Sequence, residues 1–191
     1  MPRDFPNPPI DSTESRRRYL GQGREVIAFS DDTNEENILA YYKNGDIFEK
    51  NRNALITLYQ TLFIHKILHL LYPQNFPKWK DAGLNKDGYV ATVREKIVGI
   101  LKEKGASVEL KRIVELFKKY NLNLGLYLAR PNVFFHENIE RYVDSANIFI
   151  NGHSDLEKLE SLMGENGISS ELQSEVIRIV RRIILLQKFK K

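Results

Sequence analysis

Residues 18–43 read Arg18-Tyr-Leu-Gly21-Gln-Gly23-Arg-Glu-Val26-Ile-Ala-Phe-Ser30 and, after a polar link, Ile38-Leu-Ala-Tyr-Tyr-Lys43. Two short runs of β-branched and aromatic residues flank Gly21-Gln-Gly23, and a third run ends in lysine, so the stretch predicts strands rather than helix. Glycine lets backbone approach phosphate oxygens and lysine supplies charge, which suits a phosphate-covering hairpin. Equally, the two glycines can be plain turn residues, and Asn44-Gly45 can join Ile38–Lys43 to Asp46–Lys50 as a further hairpin with Lys43 simply exposed. The residues alone leave both readings open.

Upstream, residues 1–15 hold four prolines among polar side chains and predict a flexible tail. Downstream, Leu55, Leu58, Tyr59, Leu62, Phe63, Ile67, Leu70 and Leu71 recur every three or four residues, predicting a helix over 53–72 that Pro73 ends. The Tyr72–Trp79 segment with its two prolines reads as extended, with Trp79 as a packing anchor. Tyr89, Val90, Val93, Ile97, Val98, Ile100 and Leu101 predict a helix over 87–104 stopped by Gly105. Ser107 caps a further helix whose buried stripe is Val108, Leu110, Ile113, Val114, Leu116 and Phe117. Asn132–Phe135 and Tyr142–Ser145 read as short strands around a polar turn at 136–140. Capping boxes at Ser154/Glu157 and Ser170/Gln173 open two last helices, the second with an apolar face from Leu172 to Leu186.

The chain has 191 residues, a formal charge of +4 and no cysteine, so disulfides, thiolate metal sites and cysteine nucleophiles are excluded. It shows no leader-like opening and no uninterrupted apolar run of spanning length, from which we expect a cytoplasmic protein without membrane contact. Basic clusters at Arg16–Arg18 and from Arg178 to Lys191 make nucleic acid or an acidic protein a secondary candidate partner. His65 and His69 stand one helical turn apart, a spacing that allows a metal, but apolar neighbours and the lack of an acidic ligand favour packing. His136 and His153 have no matching nucleophile motif and receive no role.

Asn132 and Asp144 are the remaining chemically coherent pair: an amide oxygen and a carboxylate suit a magnesium ion that also holds nucleotide phosphates. With them the chain resembles the protein-kinase-like superfamily, particularly its small atypical bacterial members. Gly21-Gln-Gly23 with Val26–Phe29 looks like the glycine-rich loop and second strand, Ile38–Lys43 like the third strand, and 53–72 like the helix behind it. The helix ending near Tyr120, then Pro131–Phe135 and Tyr142–Ser145, look like the approach to the catalytic-loop asparagine and the metal-binding aspartate.

The resemblance implies an α+β fold with a reduced two-lobed architecture: an N-lobe-like sheet and helix over 16–80 and a mainly helical C-lobe over 81–191. It also implies ATP and Mg2+ as ligands, with Gly21, Gly23 and Lys43 at the nucleotide and Asn132 and Asp144 at the metal. A shift of two would put Tyr41 in place of Lys43. Tyr127 stands where the family has its catalytic aspartate, and no acidic residue occurs between Tyr120 and Phe135. Gln60 or Thr61 replaces the helix glutamate, and Ser145-Ala146 follows Asp144 where the better-known kinases have Phe-Gly. The expected function is therefore a kinase-like nucleotide-binding domain with weak or absent phosphotransfer, a regulatory pseudokinase. The alternative is a non-enzymatic helical interaction module with a basic surface.

Overall fold

The computed structural model describes residues 19–22, 26–42, 52–84, 90–101, 107–126, 128, 132–144, 147–149 and 153–190. The fold is α+β, and the chain divides into two units, Met1–Leu62 with Lys78–Lys96 and Phe63–Pro77 with Ile97–Lys191. The tail over 1–15 and the expected hairpin over 43–50 lie outside the described residues.

In the first unit, β1 (Tyr19–Gln22), β2 (Val26–Ser30), β3 (Asn37–Tyr42), β4 (Trp79–Leu84) and β5 (Val90–Glu95) form an antiparallel sheet in the order β1-β2-β3-β5-β4. Side chains alternate across a strand. Phe29, Leu39, Tyr41, Ala91 and Val93 therefore cluster on one face. On the other, Trp79, Ala82, Val90 and the half-buried Tyr42 pack against Leu58 and Leu62 of α1 (Arg52–Leu71). The polar link between β2 and β3 is tied by Asp31, whose Oδ1 accepts from the Thr33 backbone N–H at 3.0 Å and its hydroxyl at 2.6 Å.

The helix predicted over 87–104 does not form: its described residues contain β5 and the short β6 (Ile100–Leu101). Residues 90–94 are buried without interruption because β5 lies inside the sheet, between β3 and β4. A strand buried on both faces carries an apolar run instead of an alternation, and here its spacings coincide with helical ones. Even Arg94 is buried, its guanidinium 3.8 Å above the ring of the fully buried Trp79 and its Nε donating to Thr92 Oγ1 at 2.8 Å. Trp79 is the packing anchor expected of it.

The predicted helix over 53–72 is α1, whose Ile64, Ile67, Leu68 and Leu71 join the core of the second unit. By length and composition it could cross a membrane, yet these apolar residues are core residues. That core also takes Phe76, Tyr142, side chains of α2 (Val108–Lys119), and side chains of α3 (His153–Glu165) and α4 (Ser170–Gln187). Ser107 caps α2 as predicted, accepting from the Leu110 N–H at 3.3 Å, but Val108 is 61% exposed because only Leu110, Ile113 and Phe117 turn fully inward. α3 begins one residue ahead of the expected cap Ser154. α4 is capped by Ser169 rather than Ser170, and Gln173 Nε2 donates to the Ile168 carbonyl at 2.7 Å instead of closing a capping box. Two small antiparallel sheets complete the unit: β6-β8-β9, with β8 (Val133–His136) and β9 (Ile139–Tyr142), and β7 (Asn123–Gly125) with β10 (Asn147–Phe149).

Candidate functional site

The second strand expected at 142–145 lies three residues earlier, and the turn is shorter than predicted. β8 and β9 pair from Val133↔Tyr142 to His136↔Ile139, leaving Glu137 and Asn138 as a two-residue connection. Both have positive φ, 49° and 67°, the conformation that lets such a turn follow the twist of its strands. Asparagine tolerates it; glutamate does so at a cost.

The hairpin's open end is where Asn132 and Asp144 meet. Val143 N–H donates to the Asn132 carbonyl at 3.0 Å, extending the ladder by one bond. Beyond it, Asn132 Nδ2 donates to Asp144 Oδ2 at 2.9 Å, with Asn132 buried and Asp144 half-buried. Residues twelve apart in sequence are thus side by side because a hairpin joins them.

Two further groups hold β9. Asn75, in the turn after α1, donates through Nδ2 to the Glu140 carbonyl at 3.0 Å, and its own carbonyl accepts the Tyr142 N–H at 2.8 Å. The buried Glu140 side chain sits at the start of α2, where the first backbone N–H groups lack helical partners. Its carboxylate accepts from the Ser107 hydroxyl and from the N–H groups of Val108 at 3.2 Å, Glu109 at 2.9 Å and Leu110 at 3.3 Å. Glu109 returns the contact, accepting the Glu140 N–H at 3.4 Å. The negative charge also opposes the positive end of the α2 dipole. Neither Asn75 nor Glu140 stands out in the sequence. For Glu140 a faint signal exists: in a strand it shares a face with the apolar Tyr142.

An amide and a carboxylate offer a hard cation one oxygen each while keeping their mutual N–H···O bond. Among the described residues no three His, Asp or Glu side chains gather around a metal-sized space. A cation at this pair would take its other oxygens from water and from a phosphorylated ligand, the usual habit of magnesium.

No family model matches the chain. No curated protein matches it either.

The other predicted positions are distributed as follows. Gly21 lies inside β1, opposite Ala28 and next to an irregularity in register after Tyr19, so it is a strand residue rather than the tip of the turn. Gly23, Lys43 and Tyr127 lie outside the described residues. Tyr41 is buried with Phe29 and Leu39, its ring 5.9 Å from that of Phe29. Gln60 and Thr61 are buried in α1, and the Thr61 hydroxyl donates back to the Thr57 carbonyl at 3.0 Å. His65 is fully buried, and His69 Nδ1 lies 2.8 Å from the Phe76 carbonyl, which fits hydrogen-bonded packing in α1.

Proposed function

We propose that this chain is a kinase-like nucleotide-binding domain that acts through binding, with phosphotransfer weak or absent. The observation that carries the reading is the 2.9 Å contact of Asn132 with Asp144 at the open end of the β8–β9 hairpin. The two residues whose chemistry suits magnesium in the sequence are neighbours in the fold, and each carries an oxygen type that magnesium accepts. The order of elements supports the same reading: a glycine-containing hairpin, a third strand, a long helix packed on that sheet, and then the hairpin carrying the pair.

In this reading Asn132 and Asp144 would hold Mg2+, which would supply positive charge against the phosphates of a bound nucleotide. Gly21, Gly23 and Lys43 enter this reading only as what the resemblance implies for the nucleotide. The weak point is the acceptor. A carboxylate would orient the attacking hydroxyl and take its proton, but the sequence has Tyr127 at that position, and a phenol is a poor base at neutral pH. Binding without efficient transfer follows.

The test is calorimetric titration of the folded chain with ATP, with and without Mg2+. Magnesium-dependent heat is expected, and Asp144→Ala weakens it by at least about tenfold, the lower end of what even outer partners contribute to metal affinity. Absence of binding at millimolar ATP would overturn the nucleotide reading and leave the interaction module.

A further inference from the structure

The outward side of α4 has a composition that packing does not explain. From Val176 to Lys191 the sequence holds six basic residues and no acidic one. α4 buries Val176, Ile179, Val180 and Ile183, while Arg178, Arg181, Arg182, Lys188 and Lys190 are exposed. With 3.6 residues per turn, Arg178, Arg181, Arg182 and Leu185 fall in a single stripe about 100° wide, and Phe189 follows just past the end of the helix. Two large apolar side chains are thus about half exposed beside the cations, Leu185 at 53% and Phe189 at 48%. The helix dipole does not account for the arginines, because none of α4's basic residues lies in its last turn, where the dipole acts. Glu175 approaches Arg178 only to 4.0 Å, on the exposed surface.

We infer that this face docks on an anionic lipid surface. A nucleic acid would answer the arginines but would set phosphate against Leu185, in the middle of the stripe. A folded protein partner needs more area than the stripe offers: from Arg178 to Leu185 it runs about 10 Å along a helix about 10 Å wide, and even with Phe189 beyond it this is far short of the roughly 800 Å² per partner of a stable interface. A lipid surface sets no such threshold, since each cation adds its own attraction to anionic headgroups and each exposed apolar side chain enters the acyl boundary separately. From the sequence no membrane contact is expected, because no run is long enough to span, but peripheral docking requires no spanning run. The inference is independent of the nucleotide reading.

The experiment is co-sedimentation of the full chain with phosphatidylcholine vesicles, with and without phosphatidylglycerol, alongside single- and double-stranded oligonucleotides. Pelleting is expected with the anionic vesicles alone. Arg181→Gln with Arg182→Gln weakens it about 25-fold, at about fivefold per cation. Leu185→Ser with Phe189→Ser weakens it at unchanged charge and removes the part that survives raised salt. Circular dichroism checks that each variant keeps its helices, and these surface changes leave the buried face of α4 intact. Equal pelleting with neutral vesicles, or none with anionic ones, overturns the inference. So does oligonucleotide binding that is tighter than vesicle binding at physiological salt and indifferent to Leu185→Ser, which would give the face to nucleic acid.

Discussion

Removing the Glu140 carboxylate should be among the most damaging single changes in the second unit. In Glu140→Ala, the Ser107 hydroxyl and the N–H groups of Val108, Glu109 and Leu110 lose their common acceptor; Leu110 alone keeps Ser107 Oγ. Hydrogen bonds to a charged group contribute roughly 1.5–3 kcal/mol each when isolated. Four bonds to one carboxylate share its charge, and water can reach part of the opened space, so the full sum does not apply. A loss of about 3–5 kcal/mol is expected, because several neutral donors are left without an acceptor at roughly 1–3 kcal/mol each where they are buried. Glu140→Gln keeps one acceptor oxygen but turns an amide NH2 toward donors, for an intermediate loss of about 2 kcal/mol. Urea unfolding followed by far-ultraviolet circular dichroism measures both. A Glu140→Ala midpoint within error of wild type, or a Gln variant as stable as the parent, would refute the assignment of this carboxylate as the cap that joins β9 to α2.

Gly99→Ala places a Cβ 2.6 Å from the Phe135 carbonyl oxygen, backbone that cannot swing away, so β6 must shift from β8 at a cost of about 1–3 kcal/mol in urea unfolding; an unchanged midpoint would contradict this close approach. Burial pushes the Tyr72 phenol up to about 12 from its ordinary value near 10. The folded state therefore holds the neutral form while the unfolded chain ionises, so its contribution is intact below pH 10 and lost as pH rises toward 12. Tyr72→Phe should soften that alkaline loss in melts across the window, and an identical profile would count against it. At Tyr127, →Phe should leave ATP turnover unchanged and →Asp should raise it; a specific loss of robust turnover in the Phe variant, with folding intact, would instead make the phenol part of a divergent active site.

The elements legible in the sequence were those whose pattern is set by one neighbour. α1, α2, α4 and the hairpin strands show a stripe or a local turn, and Ser107 announces its helix by a cap. β4 is different: Trp79-Lys-Asp-Ala-Gly-Leu84 has no alternation of its own and becomes a strand because β5 pairs with it. β5, buried on both sides, carries a run of Val, Ala and Thr whose β-branched content was the better signal and whose three-and-four spacing misled. At the candidate site, the nearness of Asn132 and Asp144 was legible because two strands around a short turn bring their outer ends side by side. Asn75 and Glu140 were not, since their importance lies in backbone groups far away in the chain, and residue type alone says little about those.

The hairpin tip offers a handle for spectroscopy. With no cysteine elsewhere in the sequence, Glu137→Cys would create a single thiol. Glutamate already occupies a left-handed position there, so cysteine adds little strain. The tip is separated from Asn132 by the four residues of β8, five steps and about 16 Å in all at strand rise. A nitroxide on that thiol would sit within paramagnetic reach of Mn2+ at the Asn132–Asp144 pair, so the hairpin serves as a fixed-length arm between label and metal. Distance broadening would then report occupancy directly, without any turnover to follow.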